Sequence, residues 1–199
     1  MGETLNSIRQ DLGDCQRCRL CTTRTNIVFG SGSPEAAWMF VGEGPGANED
    51  EQGLPFVGRA GRLLNKLIEE SGWNRDAVFV SNVVKCRPPN NRDPAPDEVE
   101  ACKPFLFRQI LSIKPVVITT LGKPAMNLLL DNRSPIGKMR GTVVEFMGAK
   151  VVPTYHPSFI QRGNWDKLDT MRQDFAVALS LLLMSKISPP AWTNQGMPT

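Results

Sequence analysis

Four short apolar runs constrain this chain more than any other feature. They are residues 37–42 (AWMFVG), 77–84 (AVFVSNVV), 116–121 (VVITTL) and 150–155 (KVVPTY). Each is dense in β-branched, aromatic or other apolar side chains without strict polar alternation, the pattern of a strand buried on both faces. Helical patterns separate and follow them, at residues 60–72, 96–113, 123–130 and 167–186. Gly72 fits a C-cap, and Asp97 and Glu98 fit a first helical turn. Leu168, Met171, Phe175, Leu179 and Leu182 recur at helical spacing and make the last helix a cover over the core. The alternation predicts an α/β protein, a three-layer α/β/α sandwich around a central four-stranded, mainly parallel sheet. Such sheets bind ligands at the carboxyl ends of their strands. Glu43, Asn82, Gly122 and His156 each stand at or beside one of those ends, so the site is expected there.

With 199 residues, 41% of them hydrophobic, the chain has material for one core. Residues 1–187 read as a single domain, with 1–7 and 188–199 as loose tails and Trp192 unexplained. The longest apolar stretch, 175–184, is about half the ~20 residues a bilayer crossing needs, and the first residues lack the apolar segment of an export signal. A cytoplasmic monomer is the expectation. The net charge of +3 is too small to decide whether nucleic acid is a partner, because distribution governs binding.

Five cysteines in a chain without an export pattern argue against a disulfide framework. Two residues separate Cys15 from Cys18 and fifteen separate Cys86 from Cys102, so four thiolates are available to close one metal site. Zinc and an iron–sulfur cluster both suit such spacing, and buried unligated thiols are the plain alternative. Cys21 lies at the same interval from Cys18 and competes as an N-terminal ligand; Cys15 and Cys18 are the preferred pair.

Three blocks then carry a resemblance. Residues 42–46 (GEGPG) with Glu49, Asp50 and 55–61 (PFVGRAG) resemble the first motif of family 4 uracil-DNA glycosylases. Residues 82–92 (NVVKCRPPNNR) are similar to that family's central block, and His156-Pro157-Ser158 to its final motif. Order and spacing agree over roughly residues 12–183. The resemblance implies removal of uracil from single- or double-stranded DNA by hydrolysis of its N-glycosidic bond, which initiates base excision repair. It also implies a [4Fe–4S] cluster on Cys15, Cys18, Cys86 and Cys102, and favours that cluster over zinc.

A flipped base needs an amide to read its edge, a ring to stack on and a donor for the charge that develops as the bond breaks. By resemblance these are Asn82, Phe56 and His156, the chain's only histidine. Gly44 completes the uracil pocket and stands where classical uracil-DNA glycosylases carry an aspartate. Glu43 is therefore the first choice for activating water, in a network with Asn91. Glu49 is expected to crowd the base's 5-position and exclude thymine. Residues 158–162 (SFIQR) offer DNA an apolar wedge, Phe159 and Ile160, with Ser158 and Arg162 beside it. Arg59, Lys85, Arg87, Arg92, Lys138, Arg140 and Arg162 are candidates for a phosphate track. No GxxxxGK[ST] follows the glycine-rich turn, which disfavours an NTPase. A covalent DNA trap would need an inserted basic loop that the sequence lacks. An iron–sulfur binding or sensing module without hydrolysis would have no use for Glu43, Asn82 and His156 together.

Overall fold

In the computed structural model, which describes residues 2–185, the four predicted strands become β2 (Trp38–Gly42), β3 (Phe79–Asn82), β4 (Val117–Leu121) and β6 (Ala149–Thr154). They lie parallel to one another in a single sheet. The sheet is wider than expected. A two-residue strand β1 (Ser31–Gly32) adds antiparallel to β3, and β5 (Val144–Phe146) adds antiparallel to β6, giving six strands in the order β1-β3-β2-β4-β6-β5. Both additions are too short for a periodicity signal and take the two edges, leaving the inner four parallel.

The inner strands bury both faces and split their side chains by alternation. Met39 and Val41 of β2 face one apolar cluster with α1 (Leu5–Leu12), α4 (Pro96–Ile113) and α5 (Lys123–Leu130). Trp38 and Phe40 face the other, with α3 (Arg59–Glu70), α7 (Pro157–Gln161) and α8 (Leu168–Ser185). The α/β/α sandwich follows. Trp38 anchors the second layer: its ring centroid lies 5.5 Å from that of Phe175, and its indole N–H donates to Thr119 Oγ1 at 2.8 Å. Burying such a side chain stabilises the fold by about 1.5–3 kcal/mol.

The N-terminal residues expected as a loose tail are instead tied down. Thr4 caps α1 by accepting from Ser7 N–H, and Glu3 and Asp11 both pair with Arg108 of α4. The short helices α2 (Ala47–Gln52), α6 (Ile136–Met139) and α7 also went unpredicted. The expected tail at 188–199, Trp192 within it and the predicted helix end at Lys186 lie outside the described residues. Among those described, no helix is long and apolar enough to cross a membrane.

The strand order reverses direction around β2, because β3 lies on one side of it and β4 on the other. That switch opens a crevice beyond the carboxyl ends of the strands. Register places Gly42 directly beside Asn82, and Leu121 beside Thr154, so all four chain exits meet at one rim.

Candidate active site

A cavity of about 540 Å³ fills this crevice, walled by Glu43, Phe56, Asn82, Tyr155 and His156 among others. Its floor depends on one glycine. A Cβ at Gly42 would sit 2.4 Å from Asn82 Oδ1 and 2.7 Å from Phe56 Cζ, so only glycine lets both side chains close on the strand end. Phe56 itself has φ 56°, a left-handed conformation unusual for an aromatic residue. Glu49 holds that turn: one carboxylate oxygen accepts from Val57 N–H at 2.9 Å and Gly58 N–H at 2.8 Å, the other from Gly46 N–H at 3.1 Å. Glu49 thereby ties the glycine-rich turn, where Gly44 and Gly46 also line the cavity, to the Phe56 turn.

Asn82 ends β3 and is buried, and its Oδ1 has no hydrogen-bond partner among the described residues. A buried amide oxygen left unpaired costs roughly 1–3 kcal/mol unless a ligand pairs with it. His156 lies opposite, its ring centroid 5.8 Å from that of Phe56. Its Nδ1 accepts from Ser158 N–H at 3.1 Å, which caps α7, and the Ser158 hydroxyl stands 2.8 Å away. Accepting a backbone N–H leaves the ring proton on Nε2, the donor tautomer for the cavity. Burial and the nearby Arg162 cation lower the imidazole's pKa to about 4, so the ring is neutral near pH 7.

Glu43 follows β2, and burial, reinforced by the Asp93 carboxylate beside it, raises its pKa to about 7, with Arg162 opposing. The expected network with Asn91 is not formed. Asn91 lines the cavity, but its Oδ1 accepts from Arg87 Nε at 2.8 Å, and the carboxylate that acts on Glu43 is that of Asp93. Two consecutive left-handed residues, Asn90 and Asn91, turn the chain there. Arg92 then clamps buried Glu98 with contacts of 2.8 and 2.6 Å and donates to Asp93 O, which presents Asp93 to Glu43.

The expected DNA face is partly rearranged. Ile160 is buried in the core under α7 and is no wedge, while Phe159 stacks on Tyr155 at 5.1 Å. Ser158 and Arg162 remain on the cavity rim. Of the candidate cations, Lys85 is fully buried, Arg92 pairs with Glu98 and Arg140 pairs with Asp174, so none of these three is a free phosphate contact. Arg59, Lys138 and Arg162 stay exposed.

A second cluster of chemistry lies at the start of α4. Cys86 and Cys102 are buried there, with Cys15 and Cys18 packed against the same apolar cluster. Cys18 and Cys102 each stand close enough to Cys15 for their charges to interact, and Cys86 likewise to both Cys18 and Cys102. Cys21 adjoins Cys18. Burial raises the Cys86 thiol to about 12 and raises Cys102 and Cys18 as well. Polar hydrogens nevertheless point at the sulfurs: Lys85 N–H at Cys102, Arg24 at Cys86 and Arg17 at Cys15. Among the described residues no three His, Cys, Asp or Glu side chains converge as a single-ion site.

Residues 29–180 match the family model of the uracil DNA glycosylase superfamily. The chain belongs to that superfamily. A type-4 uracil-DNA glycosylase of Thermotoga maritima is 46% identical over 168 residues, covering 83% of this chain and 88% of the relative. Those of Sulfurisphaera tokodaii and Saccharolobus solfataricus are 48% and 47% identical over 165 residues, 78% of this chain and 75% and 76% of theirs. Similarity at this level places the chain in the type-4 branch. Within this uracil-DNA glycosylase fold, the cavity residues that sequence reasoning missed include Asp93 and Tyr155. Asp93 resembles any loop acid in sequence, and only the two left-handed asparagines before it hint at a special turn. Tyr155, directly before His156, was read as the end of a strand.

Proposed function

We propose that this chain is a uracil-DNA glycosylase that hydrolyses the bond between uracil and deoxyribose, releasing free uracil and leaving an abasic site. The observation that carries the reading is the unpartnered Asn82 amide, buried in a cavity whose opposite wall is a neutral, Nε2-protonated His156. A base flipped into this cavity stacks on Phe56 and pairs its O4 and N3–H with the Asn82 amide; cytosine presents the opposite polarity there. Glu49, fixed by three backbone amides, shapes the wall against a 5-methyl group.

As the C1′–N1 bond breaks, its electron pair leaves with uracil, and His156 Nε2–H donates to the O2 that gains charge. That bond strengthens in the transition state and contributes to rate rather than to binding alone. Water adds its oxygen to C1′ and passes a proton to Glu43, whose pKa of about 7 matches a base working near neutrality. The ionised carboxylate also faces the positive sugar of an oxocarbenium-like transition state. The departing uracil anion is then protonated by solvent. Ser158 and Arg162 hold the flanking backbone at the rim.

Cys15, Cys18, Cys86 and Cys102 are the ligands we assign to a [4Fe–4S] cluster. What supports the assignment is four thiols gathered with polar hydrogens aimed at three of them. When bound, the cluster supplies a covalent cross-link between the N-terminal segment and the start of α4. The protein is assigned to the cytoplasm as a monomer acting on DNA.

The test is incubation with a single-uracil oligonucleotide followed by mild alkali. Strand scission at the uracil is expected. Intact DNA from folded protein overturns the reading and favours a binding or sensing module.

A further inference from the structure

Lys85 is a fully buried lysine, and among the described residues it has no carboxylate partner. Its Nζ instead donates to three neutral oxygens: Ser81 Oγ at 2.7 Å, the Asn82 carbonyl at 2.7 Å and Gln109 Oε1 at 2.8 Å. All three ammonium hydrogens are used. The acceptors are themselves braced, because Gln109 Nε2 donates to Phe29 O at 2.8 Å and the Ser81 hydroxyl stands 2.9 Å from Gln109 Oε1. Desolvating an ammonium is expensive, and an apolar side chain of similar length would fill the space without that cost. The Lys85 charge also stands near the thiols of Cys86 and Cys102, but its three hydrogens are spent on what it holds. One of its three acceptors is the backbone carbonyl of the residue whose side chain reads the base.

We propose that Lys85 is a positioning residue for Asn82. Its ammonium fixes the Asn82 carbonyl, and with it the peptide that sets the direction of the carboxamide. Asn82 is the last residue of β3 and pairs only on the β2 side at Gly42, because β1 reaches no further than Val80, so the carbonyl of this peptide has no partner strand. The neighbouring Val83 and Val84 N–H groups bond back to Gly42 and Glu43, and the ammonium completes the restraint from the opposite face. Gln109 extends the brace to α4. The inference rests on the reading that Asn82 recognises uracil.

The experiment is a double-mutant cycle on uracil excision with Lys85→Met, Asn82→Ala and the pair, with thermal unfolding measured for each. Lys85→Met is expected to lower kcat/KM by ~10-fold in the parent and to cost nothing further once Asn82 is alanine, since the two act as one unit. Ser81→Ala and Gln109→Met, each removing one acceptor, repeat the cycle if Lys85→Met does not fold; smaller losses that vanish in the Asn82→Ala background are expected. Equal losses in both backgrounds, or unchanged kcat/KM in folded Lys85→Met, overturn the proposal. If Asn82→Ala alone retains parent activity, the reading of the pocket fails instead.

Discussion

Asn82 and Cys86 are four residues apart in the chain, yet the groups around them are held by different means. The cavity takes its geometry from the sheet. Glu43, Asn82 and His156 sit at or just beyond the ends of the parallel strands β2, β3 and β6, and register through β4 fixes their separation before any side chain is placed. The cysteine corner joins the start of α4 to a segment, residues 13–30, whose regular structure is one short helical turn, Arg19–Thr22. Backbone pairing does little to hold Cys15 and Cys18 where they are. A site built on strand ends is preorganised and needs nothing bound to keep its shape. A corner built from loops would depend on the cross-link that the proposed cluster makes through its thiols. The comparison teaches that chemistry and stability are separable here, although the two regions share the β3–α4 connection.

The largest effect is expected in the cavity. Glu43→Gln should lower kcat by ~10²–10⁴, the range for losing a positioned base. It should also stabilise the protein at alkaline pH. A carboxyl whose folded pKa is raised favours folding in its neutral form, and that contribution is lost as pH rises through about 7. Unfolding temperatures of parent and variant should therefore coincide below the ordinary carboxylate range, separate as pH rises from there to about 7, and stay apart by a constant margin above it. His156→Ala should cost kcat ~10²–10³, as for other donors aimed at developing charge. Steady-state kinetics at saturating DNA measures both.

Cys102→Ala sharpens the contrast from the other side. Loss of a metal cross-link is among the few changes that remove more than ~4 kcal/mol, on the order of 10 °C for a domain of this size. Visible absorption should fall with it, while kcat of the folded fraction stays within a few-fold of the parent. A folded variant with a dead cavity breaks the separation. The smallest effect belongs to Asp93→Asn, which removes the charge beside Glu43. Excision depends on ionised Glu43 and rises with pH, so the acid limb of kcat/KM should move down from about 7 by on the order of one pH unit.

Much of this was legible in the sequence. Apolar runs located the parallel strands within a few residues, and α4 and α5 matched their expected bounds because proline and acidic residues mark the start of one and Gly122 the start of the other. What stayed hidden depended on partners distant in the chain. α1 is short and is anchored through Asp11 by Arg108, 97 residues away. Lys85 looks like a surface cation in the sequence, which does not reveal three neutral acceptors around an ammonium. Ile160 looks like a wedge in the sequence, because the turn at His156 that directs it inward comes from a side-chain cap on α7. In the candidate site, motif spacing pointed to Glu43, Asn82 and His156, whereas Asp93 reached the cavity through a left-handed turn that no periodicity records.

The most direct measurement is the release of free uracil from a single-uracil duplex by the parent protein and by Asn82→Ala, with folding of both checked by thermal unfolding. The parent should release uracil in proportion to the abasic sites formed, and Asn82→Ala should lose most of that activity while remaining folded. Equal release by both proteins would show that the unpartnered amide does not read the base and would contradict this account of the cavity.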